Sequence, residues 1–147
     1  MTEPGFVNDA SPSQPIDVVV GLGSNLGDRI ETLRRAVRAL AEFAEVRAVS
    51  YTYETPPLGP PQPDFMNAAV RLHARLSPTE LLARLLEIER AEGRERRVRW
   101  GPRTLDLDIL WIFGRSVAEP HLVVPHAELK KRAFALLPLL DVAPEAV

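Results

Sequence analysis

The alternation of apolar and polar positions divides the chain into four strands and three helical segments. A Val-rich apolar run over 16–22 is followed by Gly23, Ser24 and Asn25, which predicts a buried strand closed by a glycine turn. Asp28 and Glu31 have the spacing of a helix capping box, and Ile30, Leu33, Val37, Leu40 and Ala44 recur at helical intervals behind them. Val49, Tyr51 and Tyr53 alternate with polar or small neighbours over 46–54, a second strand running into a proline-rich loop. The clearest period of two spans 65–76, with Met66, Ala68, Val70, Leu72, Ala74 and Leu76 on one face and Phe65, Asn67, Arg71, His73 and Arg75 on the other.

Ser77-Pro78-Thr79-Glu80 combines a capping serine, a first-turn proline and a glutamate at the third helical position. The helix it starts runs through Leu81, Leu82, Leu85, Leu86, Ile88 and Glu89 to Gly93, and a strand follows over 104–113, before Gly114 and Arg115 turn the chain. Beyond Pro125, Leu136, Leu137, Leu139 and Leu140 predict a last helical segment, interrupted at Pro138. The order is β-α-β-β-α-β with a C-terminal helical appendix, the split pattern of a ferredoxin-like α+β domain with an antiparallel sheet. The segment 1–15, rich in Pro, Ser and acids and without an apolar stretch, reads as a flexible tail, which leaves 16–147 as one domain.

Composition narrows the function classes. The chain has 147 residues, 46% hydrophobic and 26% charged, with 18 basic against 20 acidic side chains, so it carries no general attraction for nucleic acid. No cysteine is present, which removes disulfides, thiolate zinc sites and thiol nucleophiles and agrees with a cytoplasmic setting. The apolar runs are far shorter than the roughly 20 residues of a membrane-spanning helix. Five of the 14 prolines fall over 56–63, where missing donors and fixed φ forbid a central strand or helix interior. Six arginines (90, 94, 96, 97, 99 and 103) fall within fourteen residues that hold only two acids, a local excess of basic charge in a slightly acidic chain. Guanidinium forks suit phosphate oxygens, and a solvated helix end is the alternative.

Leu105-Asp106-Leu107-Asp108-Ile109 carries the most chemical information, because residues two apart on a strand share a face. The two carboxylates then stand roughly 7 Å apart at Cα while the aliphatic neighbours point inward. Such a pair suits Mg²⁺, a hard cation that takes a few carboxylates together with substrate phosphates; a half-exposed acidic strand is the plain alternative. The arginines that lead directly into this strand favour the metal, since acids for metal beside arginines for phosphate equip phosphoryl-type transfer. The glycines at 21, 23 and 27 have neither dinucleotide-fold nor P-loop spacing and read as turn formers. The histidines at 73, 121 and 126 lack zinc-site spacing, although His126 enters a helical segment with Lys130, Lys131 and Arg132 and could donate to an anion. An RNA-recognition module would expose aromatics with basic surroundings where this chain presents Asp106 and Asp108, and a regulatory domain would need neither the acids nor the arginines.

Gly23-Ser24-Asn25, Thr55-Pro56-Pro57-Leu58-Gly59, Gln62-Pro63-Asp64-Phe65-Met66-Asn67-Ala68, the run from Arg99-Trp100-Gly101-Pro102-Arg103 through Asp108, and Val124-Pro125-His126 with Arg132-Ala133-Phe134 together resemble the 6-hydroxymethyl-7,8-dihydropterin pyrophosphokinases of folate biosynthesis. The resemblance covers 16–147 and implies transfer of pyrophosphate from ATP, the co-substrate, to the pterin hydroxymethyl oxygen, with release of AMP. It implies Asp106 and Asp108 as ligands of two Mg²⁺ ions, and Arg94, Arg96 and Arg103 as neutralising groups for the moving pyrophosphoryl. It places the pterin between Phe65 and Phe134, with Thr55, Pro56, Leu58 and Asn67 around it. Glu89, Trp100, Arg103, Ile109, His126 and Arg132 match positions lining the ATP site. Ala127, His121 and Val123 depart from residues common in relatives near the nucleotide, which bears on ATP affinity. The implied partners are small molecules, with neither nucleic acid nor membrane, and the implied protein is a monofunctional cytoplasmic monomer.

Overall fold

The computed structural model describes residues 14–57, 60–93, 104–125 and 133–146. Strand β1 (Ile16–Ser24) runs down the middle of an antiparallel sheet, flanked by β4 (Phe65–Ala74) and β5 (Asp106–Ile112). The far edge of β4 pairs with β2 (Glu45–Val49) and then with the short β3 (Tyr53–Thr55), so the sheet order is β2-β4-β1-β5 with β3 prolonging the β2 edge. Helix α1 (Arg29–Leu40) connects β1 to β2, and α2 (Pro78–Ala91) connects β4 to β5, which is the split β-α-β arrangement of a ferredoxin-like α+β fold. A hairpin of β6 (Val117–Glu119) and β7 (Leu122–Val124) follows, and then α3 (Ala133–Val142) with a 3₁₀ turn over Pro144–Ala146.

The helix starts use the groups predicted for them. Asp28 Oδ1 accepts from Glu31 N at 3.1 Å, and Ser77 Oγ accepts from Glu80 N at 3.1 Å while Glu80 Oε1 accepts from Ser77 N at 2.8 Å, a complete capping box with Pro78 behind it. Period-two alternation then decides which face each strand buries. Val18, Val20, Leu22, Ala68, Val70, Leu72, Leu105, Leu107 and Ile109 turn to one side, where Leu33, Ala36 and Leu40 of α1 and Leu81 and Leu85 of α2 complete the main core. Each Val, Leu or Ile among them contributes about 1.5–3 kcal/mol on full burial. On the opposite face α3 sets Leu139 and Val142 against Val19, Ala69 and Leu110.

Four details depart from the sequence reading. Gly21 and Gly23 lie inside β1 and are not turn residues. A Cβ on Gly21 would stand 2.9 Å from Leu110 Cδ1, so its role is close approach, and the turn glycine is Gly27, with φ of 68°. The predicted second strand is divided: Ser50 N still donates to Ala69 O at 2.9 Å, but Ser50 Oγ accepts from Ala69 N at 2.8 Å and Asp141 Oδ2 accepts from Tyr51 N, so side chains take over part of the ladder between β2 and β3. Pro138 does not interrupt the last helix. Its ring nitrogen cannot donate, which removes one backbone bond, and the packing of Leu139 and Val142 outweighs that loss. The β6–β7 hairpin was absent from the sequence reading because two three-residue strands show too little alternation, yet Leu122 and Val124 are core residues.

Candidate functional site

The sheet register assembles polar groups on the face that α3 covers further along. Gly23 pairs with Asn67 on one side and Asp106 on the other, and Gly21 pairs with Ala69 and Asp108. Partners in register share a face. Asp106 and Asn67 are therefore separated by a glycine with no side chain, across two strand spacings or roughly 10 Å of backbone, and Gly23 itself is buried. Asp106 and Asp108 are both half-buried. Asn67 is 7% exposed and its Nδ2 donates to Thr55 Oγ1 at 2.6 Å, while the ring of half-buried Phe65 edges the bare stretch at Gly23. Pro56, exposed, continues the chain from Thr55.

The proline-rich loop is secured where it re-enters the sheet. Prolines donate no backbone hydrogen bond, so the loop presents more acceptors than donors. Asn25, 1% exposed, supplies two donations from Nδ2, to Gln62 Oε1 and to Pro63 O, both at 2.8 Å. Arg29 Nη1 adds bonds to Asp64 O at 2.8 Å and to Glu54 Oε2 at 3.0 Å. These contacts fix the segment immediately before Phe65. The sequence reading treated Asn25 as a turn former and assigned Arg29 nothing; a donor-poor loop that needed external donors was the available signal.

On the helix side, Glu89 is 3% exposed and its Oε2 accepts from Leu107 N at 2.7 Å. Ile109 also turns to that side, 3% exposed in the main core, so its side chain does not share the face of Asp106 and Asp108. At the end of α2, Glu92 takes a two-pronged bond from Arg35 of α1, Nε to Oε2 at 3.0 Å and Nη2 to Oε1 at 2.8 Å. That guanidinium holds the Glu92 carboxyl below the usual glutamate range and offsets a negative charge at a helix C-terminus. Because the folded-state pKa is depressed, the pair stabilises above the ordinary glutamate pKa, and its contribution disappears as pH falls through the lower folded-state value. Arg35→Ala is accordingly expected to melt below wild type at pH 7 and to close most of that gap at pH 3; a gap unchanged between the two pH values in thermal melts would contradict the assignment.

Asp106, Asp108, Asn67, Phe65 and Thr55 are thus brought together, whereas Glu89 and the Ile109 side chain stand behind them. Leu58, Arg94, Arg96, Trp100, Arg103, His126, Arg132 and the Phe134 side chain lie outside the described residues. His121 reaches Thr79 Oγ1 at 3.5 Å beside the β6–β7 hairpin, and Val123 is half exposed. Among the described residues no three His, Asp or Glu side chains gather around one metal position. Two carboxylates do fit a hard divalent cation that completes its shell with water and phosphate oxygens, the usual mode for Mg²⁺.

The chain is similar to known proteins over most of its length. The family described as 7,8-dihydro-6-hydroxymethylpterin-pyrophosphokinase (HPPK) matches residues 19–144. The 2-amino-4-hydroxy-6-hydroxymethyldihydropteridine pyrophosphokinase of Synechocystis sp. is 44% identical over 138 residues, 92% of this chain and 71% of its own length. Proteins of the same name from Pseudomonas aeruginosa and Methylorubrum extorquens are 48% and 46% identical, over 87% of this chain and 81% and 83% of theirs. The α+β fold and these pyrophosphokinase relatives together make the chain a diphosphotransferase enzyme. The chain belongs to the 7,8-dihydro-6-hydroxymethylpterin-pyrophosphokinase family.

Proposed function

We propose that the sheet face bearing Asp106, Asp108 and Asn67 is where this chain transfers pyrophosphate from ATP to the hydroxymethyl group of 6-hydroxymethyl-7,8-dihydropterin, giving AMP and the dihydropterin diphosphate, a step of tetrahydrofolate biosynthesis. The observation that carries the reading is the pairing of Gly23 between Asp106 and Asn67, which sets a half-buried carboxylate and a buried amide on either side of a residue without a side chain. Asn67, oriented by Thr55, reads the polar edge of the pterin, and Phe65 stacks on its ring, with Pro56, Leu58 and Phe134 completing the pocket. Asp106 and Asp108 would hold two Mg²⁺ ions, which would supply positive charge to neutralise the ATP phosphates and the attacking oxygen. Arg94, Arg96 and Arg103 take the pyrophosphoryl oxygens, and Trp100, Ile109, His126 and Arg132 line the nucleotide, Ile109 through its backbone since its side chain belongs to the core. The domain spans 16–147 and acts as a cytoplasmic monomer on small molecules. The acids on the sheet would repel a nucleic-acid backbone, and no helix among the described residues is long and apolar enough to cross a membrane.

Nucleotide analysis after incubation with ATP, Mg²⁺ and the pterin is expected to show AMP only when all three are present, with EDTA abolishing it. ADP as the product would make the chain a single-phosphoryl kinase, and no turnover by folded protein would make it a binding relative.

A further inference from the structure

Glu89 is the feature that the site description leaves unexplained. A carboxylate that is 3% exposed on the core face of a helix is costly to bury, and such groups persist where a strong polar bond compensates. Here the bond is to a backbone amide, Leu107 N, at 2.7 Å, the short distance of a charge-assisted donor–acceptor pair. Leu107 lies between Asp106 and Asp108, and among the described residues β5 is the end strand of the sheet, with β1 on its inner side. An N–H that points away from β1 has no partner in the β1–β5 ladder, so Glu89 anchors from the outer side a peptide whose neighbours, Asp106 and Asp108, pair with Gly23 and Gly21 on the inner side. The peptide nitrogen that Glu89 holds is bonded directly to the Asp106 carbonyl carbon and lies one residue before Asp108. Fixing it fixes the direction in which both carboxylates leave the strand.

We infer that Glu89 is a positioning residue for the paired carboxylates, acting from the opposite face of the sheet through the Leu107 amide and not through contact with nucleotide or metal. The inference rests on the metal reading of Asp106 and Asp108. It assigns to Glu89 a different part from lining the ATP site. Glutamine at this position keeps an acceptor oxygen and removes the charge. Leucine removes the acceptor and leaves Leu107 N without it.

The test measures affinity for a non-hydrolysable ATP analogue by calorimetry, once with saturating Mg²⁺ and once in EDTA, together with hydrogen exchange at the Leu107 amide in protein free of metal and nucleotide. Glu89→Leu is expected to cut the metal-dependent gain in affinity by about tenfold, as loss of a ligand-orienting partner commonly does, with the EDTA value unchanged and Leu107 exchanging faster. Glu89→Gln is expected to retain most of the gain and the amide protection. Should Glu89→Leu fail to fold, Glu89→Asp replaces it: the charge stays, the carboxylate retreats by one methylene, and the same losses are expected. A full metal-dependent gain in the leucine or aspartate variant overturns the inference. So does a glutamine variant as impaired as leucine, which would mean that the charge acts directly, or a parallel fall in EDTA, which would mean that Glu89 touches nucleotide. Wild-type protein with no metal-dependent gain would instead remove the metal reading itself, and the Glu89 inference with it.

Discussion

Alanine at Asp106 or at Asp108 is expected to lower kcat by about two to four orders of magnitude while the protein still melts cooperatively near the wild-type temperature. The magnitude follows from what a metal clamp on transferring phosphates supplies, several kcal/mol of charge stabilisation, at about 1.4 kcal/mol for each factor of ten in rate. Survival of the fold follows from where the side chains stand. Leu105, Leu107 and Ile109 carry the strand's share of the main core and point away from the acids, so truncating either carboxylate creates no cavity there. A large loss of turnover with the melting temperature kept is therefore the expected signature. Steady-state kinetics and thermal melts on both variants check it, and rates near wild type for both would remove the metal assignment.

The paired acids were legible in the sequence because a strand has a fixed two-residue period. Given that 104–113 is a strand, Asp106 and Asp108 must share a face, and the structure places β5 at Asp106–Ile112 with that alternation. Phe65 and Asn67 were legible on the same ground. The partner opposite those acids was not legible, since register between strands distant in sequence is decided by packing of the whole sheet. Gly23 illustrates the difference. Local chemistry reads glycine after a Val-rich run as the start of a turn, whereas β1 continues through it to Ser24, with Gly23 buried between Asn67 and Asp106. Glu89 shows the converse. Its helical position was predicted correctly, but its bond to the Leu107 amide, 18 residues away, depends on how α2 lies along β5. Pro138 marks a third kind of limit, in which a strong local rule yields to tertiary packing.

Gly23→Ala is expected to weaken pterin binding by about 10- to 100-fold, some 1.4–2.8 kcal/mol, and to leave the melting temperature near wild type. Two effects on stability oppose each other. Alanine lowers the conformational entropy of the unfolded chain relative to glycine, by roughly 0.4–1 kcal/mol in favour of the folded state. Against this, the new Cβ would stand 3.1 Å from Asn67 Oδ1 and 3.5 Å from Phe65 Cδ1, so the amide has to give by a few tenths of an ångström. Asn67 has little room to do so, being 7% exposed and bonded to Thr55 Oγ1 at 2.6 Å. Binding has no such compensation, because the methyl group occupies the bare floor between Asn67 and Asp106 and displaces the amide expected to read the pterin edge. Asp106 and Asp108 keep their strand, so metal-dependent binding of the ATP analogue should remain within about threefold of wild type, less than 0.7 kcal/mol. Fluorescence titration of the pterin beside calorimetry of the analogue separates the two sites: loss of pterin alone places the heterocycle over Gly23, and unchanged pterin affinity would move it away from this face of the sheet.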